Sequence, residues 1–107
     1  MIIRVVRMTF AADQTAAFLE IFRASQPRIR NFAGCRYLEL WQDAQAPHIF
    51  CTYSHWDSEE ALNNYRHSDL FTGVWSATKK LFAAPPLAFS SVAYHTEQPE
   101  TGTRTTE

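Results

Sequence analysis

The sequence predicts an α+β domain in which helices cover one face of an antiparallel sheet, in the order β-α-β-β-α-α-β. Three observations predict it. Four segments with strand-like apolar patterning are separated by stretches with helical apolar spacing. The two middle strand segments carry large apolar side chains on both faces. The chain, at 107 residues, has length for one core.

Ile2 to Phe10 reads as the first strand, β-branched and apolar, with Arg4 and Arg7 as its polar interruptions. Asp13 is a candidate N-cap for the helix that follows. From Gln14 to about Arg30, the residues Ala17, Phe18, Ile21, Phe22 and Ile29 recur at helical spacing. Pro27 lacks a backbone donor, so it is expected to kink this helix or to begin a separate last turn. Asn31 to Gly34 is a turn.

Cys35 to Gln42 is the second strand. Strict alternation puts Tyr37, Glu39 and Trp41 on one face and Arg36, Leu38 and Leu40 on the other. After a loop from Asp43 to Pro47, His48 to Trp56 is the third strand and completes a hairpin. Asp57 or Ser58 caps a helix that runs to about Arg66, with Glu59 and Glu60 in the first turn, where the helix dipole favours them. Ser68 caps the next helix, in which Leu70, Phe71, Val74, Trp75, Thr78, Leu81 and Phe82 form a broad stripe that Pro85 and Pro86 stop. Leu87 to His95 is the last strand. The domain thus spans residues 1–95, and the polar stretch 96–107 is expected to be a disordered tail. This order is a ferredoxin-like split β-α-β with its second crossover broken into two helices.

The chain is 46% hydrophobic and 14% aromatic. That is more aromatic surface than a small core uses, so either the core encloses a pocket or a second subunit covers an apolar face. One helix layer covers only one sheet face, so the other is expected to meet its copy in a homodimer, as a dimeric α+β barrel. A net charge of −1 without charged blocks gives no basis for binding nucleic acid or an anionic membrane. No apolar run approaches the roughly 20 residues that span a bilayer. Arginines interrupt the apolar N-terminus, so it does not read as a signal peptide, and the cytoplasm is the expected compartment. Cys35 and Cys51 read as free thiols rather than a disulfide, and they form no CxxC pair.

Four segments carry a resemblance: IIRVVRMTF, FAGCRYLELWQD, FCTYSHWDSEEAL and YRHSDLFTGVW. The run WDSEEALNNYRHSDLF fits the pattern of a strand end, W-x-[ST]-x-E-A-L, and a short helix closing near [ST]-x-x-F. Over about residues 2–95 the chain resembles the antibiotic biosynthesis monooxygenase domain of the dimeric α+β barrel superfamily. The resemblance implies one of several activities. Some members oxidise phenols or quinols with molecular oxygen and no metal or flavin, some degrade haem, and some have non-oxidative or no demonstrated chemistry. The haem-degrading members use an Asn, a Trp and an axial His at positions that resemble Val6, Tyr65 and Trp75 here, and none of the three matches.

In the cofactor-free reading, an aromatic-lined pocket holds a flat phenolic substrate, and a hydrogen-bonding or basic group meets its oxygen. Tyr65 is the first candidate, at a position where members often have His. An unperturbed phenol, with a pKa of about 10, donates a hydrogen bond but is a poor base at neutral pH. His67 and His55 are the titratable alternatives. Trp75, Phe71, Trp56 and Val6 are the candidate substrate-binding residues. The four histidines are too scattered to suggest a metal site. The expected function is therefore a cofactor-independent monooxygenase that uses molecular oxygen on an aromatic or quinol-type molecule. The rival is a non-catalytic dimeric module that binds a small apolar ligand.

Overall fold

The computed structural model describes residues 1–95. The expected tail over 96–107 lies outside them. Four strands form one antiparallel sheet in the order β2-β3-β1-β4. They are β1 (Ile2–Thr9), β2 (Cys35–Gln42), β3 (Ile49–Trp56) and β4 (Leu87–Ser91). The helices are α1 (Thr15–Arg30), α2 (Glu59–Arg66) and α3 (Asp69–Lys79), with a short 3-10 turn at Ala12–Gln14 before α1. This is the predicted ferredoxin-like order. None of the described helices is long and apolar enough to cross a membrane.

Strand periodicity sets which side chains meet the helices. β1 pairs with β3 so that Arg4 faces Ser54, Val6 faces Thr52 and Met8 faces Phe50. These even-numbered residues point to the helix layer. Met8, Phe10 and Phe50 bury against Phe18 and Phe22 of α1. The rings of Phe10 and Phe18 stack at 4.2 Å, and Phe18 meets Phe50 at 5.4 Å. A second cluster gathers Cys35, Trp56 and Leu62, with Phe32 and Tyr65 packed on it. Full burial of each such large side chain contributes roughly 1.5–3 kcal/mol, so the two clusters fix the helix layer on this face.

Several local expectations change. Arg36 does not share a face with Leu38 and Leu40. A β-bulge lies between Cys35 and Tyr37, and Arg36 is its extra residue. The bulge turns Cys35 inward beneath Trp56 and leaves Arg36 outside, paired with Asp57 at 2.6 and 2.8 Å. Asp57 is thereby occupied, and Ser58 alone caps α2, accepting from the Ala61 amide at 3.1 Å. Ser68 caps α3 through the Phe71 amide at 3.1 Å. Asp13 caps nothing, because the 3-10 turn intervenes and α1 starts without a side-chain cap. Pro27 does not split α1. It stands on the exposed side, and so does Arg23, whose carbonyl loses its helical donor there.

α3 ends at Lys79, so Leu81 and Phe82 belong to the turn after it. Phe82 there forms an isolated bridge with Phe10. β4 stops at Ser91, short of His95. Cys35 and Cys51 are free thiols.

Candidate active site

A cavity of about 310 Å³ lies between the sheet and the helices, bounded by members of both core clusters. That volume is at the lower end of small-molecule sites, which run to about 1,000 Å³. Its floor is the helix-facing side of the sheet, including Arg4, Val6, Thr52, Ser54 and Trp56. Its roof comes from α2 and α3, with Leu62, Tyr65, Phe71 and Trp75 among the contributors.

The aromatic residues form one continuous wall. Tyr65 stacks on Trp56 at 4.9 Å and 22°, and it meets Phe32 and Phe71 edge-on at 5.4 and 5.2 Å. Phe71 stacks on Trp75 at 5.8 Å and 13°. Helical spacing explains the grouping: Leu62, Tyr65 and Arg66 share one face of α2, and Phe71 and Trp75 are four apart on α3. The Trp56 indole is fixed, donating to Ser54 Oγ at 2.9 Å.

The Tyr65 hydroxyl has no hydrogen-bond partner among the described residues, yet no buried side-chain oxygen or nitrogen among them is left unsatisfied. The hydroxyl is therefore accessible to a bound molecule. Burial, with a smaller contribution from Cys35, pushes its pKa up to about 12. Tyr65 is a neutral donor at any physiological pH.

The structure brings Tyr65, Trp75, Phe71, Trp56 and Val6 to one cavity. It does not bring the histidines. His55 lies on the opposite sheet face from its neighbour Trp56, and its Nε2 hydrogen-bonds the Tyr53 hydroxyl at 2.9 Å. His67 is exposed at the C-terminus of α2, where Nδ1 sits 2.7 Å from the Asn63 carbonyl. Among the described residues, no Asp, Glu or His lines the cavity.

Of the lining residues that the sequence did not mark as site candidates, two are cations, Arg4 and Arg66. The signal was present. Arg4 shares the strand parity of Val6 and Met8, and Arg66 follows Leu62 by one helical turn.

The cavity does not suit a haem iron, which takes a nitrogen, sulfur or phenolate ligand. Among the described residues it offers no imidazole or thiolate, Met8 is packed among phenylalanines, and Tyr65 resists ionisation. Among the described residues, no group of three or more His, Cys, Asp or Glu could hold a metal ion.

Residues 1–74 match the family model described as "Antibiotic biosynthesis monooxygenase". No curated protein matches the chain. Among solved structures, a Nitrosomonas europaea protein described as a candidate antibiotic biosynthesis monooxygenase is similar with a TM-score of 0.82 and 17% identity, covering 89% of this chain and 100% of its own. A Deinococcus radiodurans protein of the same description gives a TM-score of 0.83 and 19% identity, covering 94% and 99%. A Mycobacterium tuberculosis protein gives 0.82 and 18%, covering 91% and 98%. At these identities the likeness concerns the fold.

Proposed function

Because the chain belongs to the antibiotic biosynthesis monooxygenase family, we propose that it oxygenates a flat aromatic small molecule of quinol type, with molecular oxygen as co-substrate and no metal or organic cofactor. The observation that carries this reading is the unpartnered Tyr65 hydroxyl set in a continuous aromatic wall. Trp56, Phe71 and Trp75 offer ring faces and edges to a planar substrate. Tyr65 donates a hydrogen bond to the substrate oxygen on which negative charge builds. In the keto tautomer of such a phenol, a ring methylene and oxygen give a ring carbonyl and water. The substrate supplies all four electrons, so no reductant is required.

Oxygen uptake with a panel of hydroquinones tests the proposal. Uptake by the wild type is expected to fall about tenfold or more in Tyr65→Phe, in line with the loss of one donor to a developing oxyanion. Trp75→Phe should raise KM more than it lowers kcat.

One observation favours a second reading, a non-catalytic ligand-binding module: among the described residues, the cavity has no carboxylate or imidazole to serve as base. Ligand binding without oxygen uptake on any hydroquinone would establish that reading and end the enzymatic one. Under either reading we propose a homodimer, with the uncovered sheet faces of two copies packed into an α+β barrel.

A further inference from the structure

We infer that the cavity takes its aromatic ligand as an anion, a carboxylate or phenolate oxygen held between Arg4 and Arg66. The inference rests on the cavity being a ligand site, as proposed above, and adds the charge of the ligand.

Both arginines line the cavity, one on its floor and one on its roof. Arg4 occupies the centre of the sheet, between Ser54 of β3 and Ser90 of β4. One of its amino groups donates to Ser90 Oγ at 3.1 Å. A guanidinium carries five N–H donors, so most of its capacity is unused. Arg66 projects from the last turn of α2, next to Tyr65. Among the described residues the ion pair is Arg36 with Asp57, and neither Arg4 nor Arg66 has a carboxylate in reach.

A partly buried cation without a counter-charge is costly, and a second cation nearby raises the cost. Burial first, and then the charge of Arg66, lower the pKa of Arg4. The two charges are close enough to feel each other, and among the described residues nothing acidic on the cavity offsets them. A ligand oxyanion would supply the missing partner and could accept from both guanidinium forks and from the Tyr65 hydroxyl. This also accounts for the absent base. A substrate that arrives as its anion needs no base, and one whose acidity the two cations raise gives up its proton to solvent water without a carboxylate or imidazole. The other titratable groups beside the site are Tyr65 and, behind it, Cys35; burial raises both pKa values, so both stay neutral.

The test uses three probes of one shape: 2-naphthoate, its neutral isostere 2-naphthamide, and 2-naphthol, titrated calorimetrically into the full chain. Naphthoate is expected to bind about tenfold or more tightly than naphthamide, the usual scale for a charge-assisted pair. The preference should shrink with added salt. It should disappear in Arg66→Gln, an exposed site whose replacement leaves the core intact, and in Arg4→Gln. Arg23→Gln, an exposed change on α1 away from the cavity, should keep it. Naphthol affinity that rises with its ionisation, only when both arginines are present, would identify a phenolate; a flat profile beside tight naphthoate binding would identify a carboxylate. Equal binding of naphthoate and naphthamide overturns the anion inference and leaves the aromatic cavity standing. Failure of all three probes to bind overturns both.

Discussion

Tyr65 shows how one side chain's surroundings decide its chemistry. Its ring lies against Trp56, Phe32 and Phe71, and that apolar contact pushes the phenol up to about 12. The folded value is above the unfolded value of about 10. The folded state therefore favours the protonated phenol, and the stability this contributes is complete below pH 10. It is lost as pH rises from about 10 to about 12. An ultraviolet titration of the wild type against Tyr65→Phe should show the difference, one phenolate, only above pH 11 or together with alkaline unfolding. A phenolate near pH 10 assigned to Tyr65 would contradict the buried, donor-only role.

The sequence placed Phe71 and Trp75 on one helical face, because a spacing of four residues is visible without coordinates, while Tyr65 was marked only by the family resemblance. It misplaced His55 because adjacency in sequence suggested adjacency at the pocket. In a strand, neighbours point to opposite faces, so Trp56 inside requires His55 outside. Arg4 was passed over as a polar interruption of a strand, although its parity already put it on the core side.

At the scale of elements, two glycines make opposite demands. Gly34 joins α1 to β2 with φ at +90°, and a Cβ there would stand 2.5 Å from the Ala61 Cβ of α2. Its carbonyl also accepts from the Asp57 amide at 2.9 Å, which ties the turn to the start of α2. Gly34→Ala must both strain the backbone and push α2 away, so it should destabilise by roughly 2–3 kcal/mol. Gly73 lies within α3 on an exposed site, with nothing within 4 Å of an added Cβ. Gly73→Ala should stabilise by about 0.5–1 kcal/mol. Thermal denaturation should therefore move in opposite directions for the two variants, by about 4–8 °C per kcal/mol for a domain of this size. Shifts of the same sign would refute the contrast.

The element ends were legible where a cap residue marks them, as at Ser58 and Ser68. They were not legible where the apolar pattern continues past the helix. Leu81 and Phe82 keep the phase of the α3 stripe, yet α3 has already ended, and Phe82 packs on Phe10 at 5.4 Å from the turn. The bulge at Arg36 was equally hidden, since its composition matches an ordinary strand; only the capture of Asp57 and the inward turn of Cys35 reveal it.

At the scale of the whole molecule, the helices leave the second sheet face uncovered. Tyr37 and Trp41 are 42% and 41% exposed there, and Leu87 and Phe89 of β4 are 59% and 45% exposed. Several polar groups on this face are turned on one another. Glu39 accepts from the Tyr37 hydroxyl and the Trp41 indole, each at 2.8 Å, and Tyr53 bonds His55. Trp41 stacks on Tyr53 at 4.7 Å and 22°. The rings are thus ordered and their donors satisfied, which lowers the cost of burying them under a second copy. Sedimentation at micromolar concentration should give twice the chain mass, and Trp41→Asp or Phe89→Asp should give a folded monomer. Acid should weaken the dimer through Glu39. The hydrogen bonds from Trp41 and then Tyr37 hold its pKa below the usual carboxylate value. The arrangement is therefore fully formed above that usual value, near 4.3, and is lost as pH falls through the lower, folded one. Glu39→Gln should remove this acid dependence, because an amide oxygen still accepts but has no proton to gain in that range. A wild type that sediments as a monomer at neutral pH would leave the aromatic face without its proposed partner.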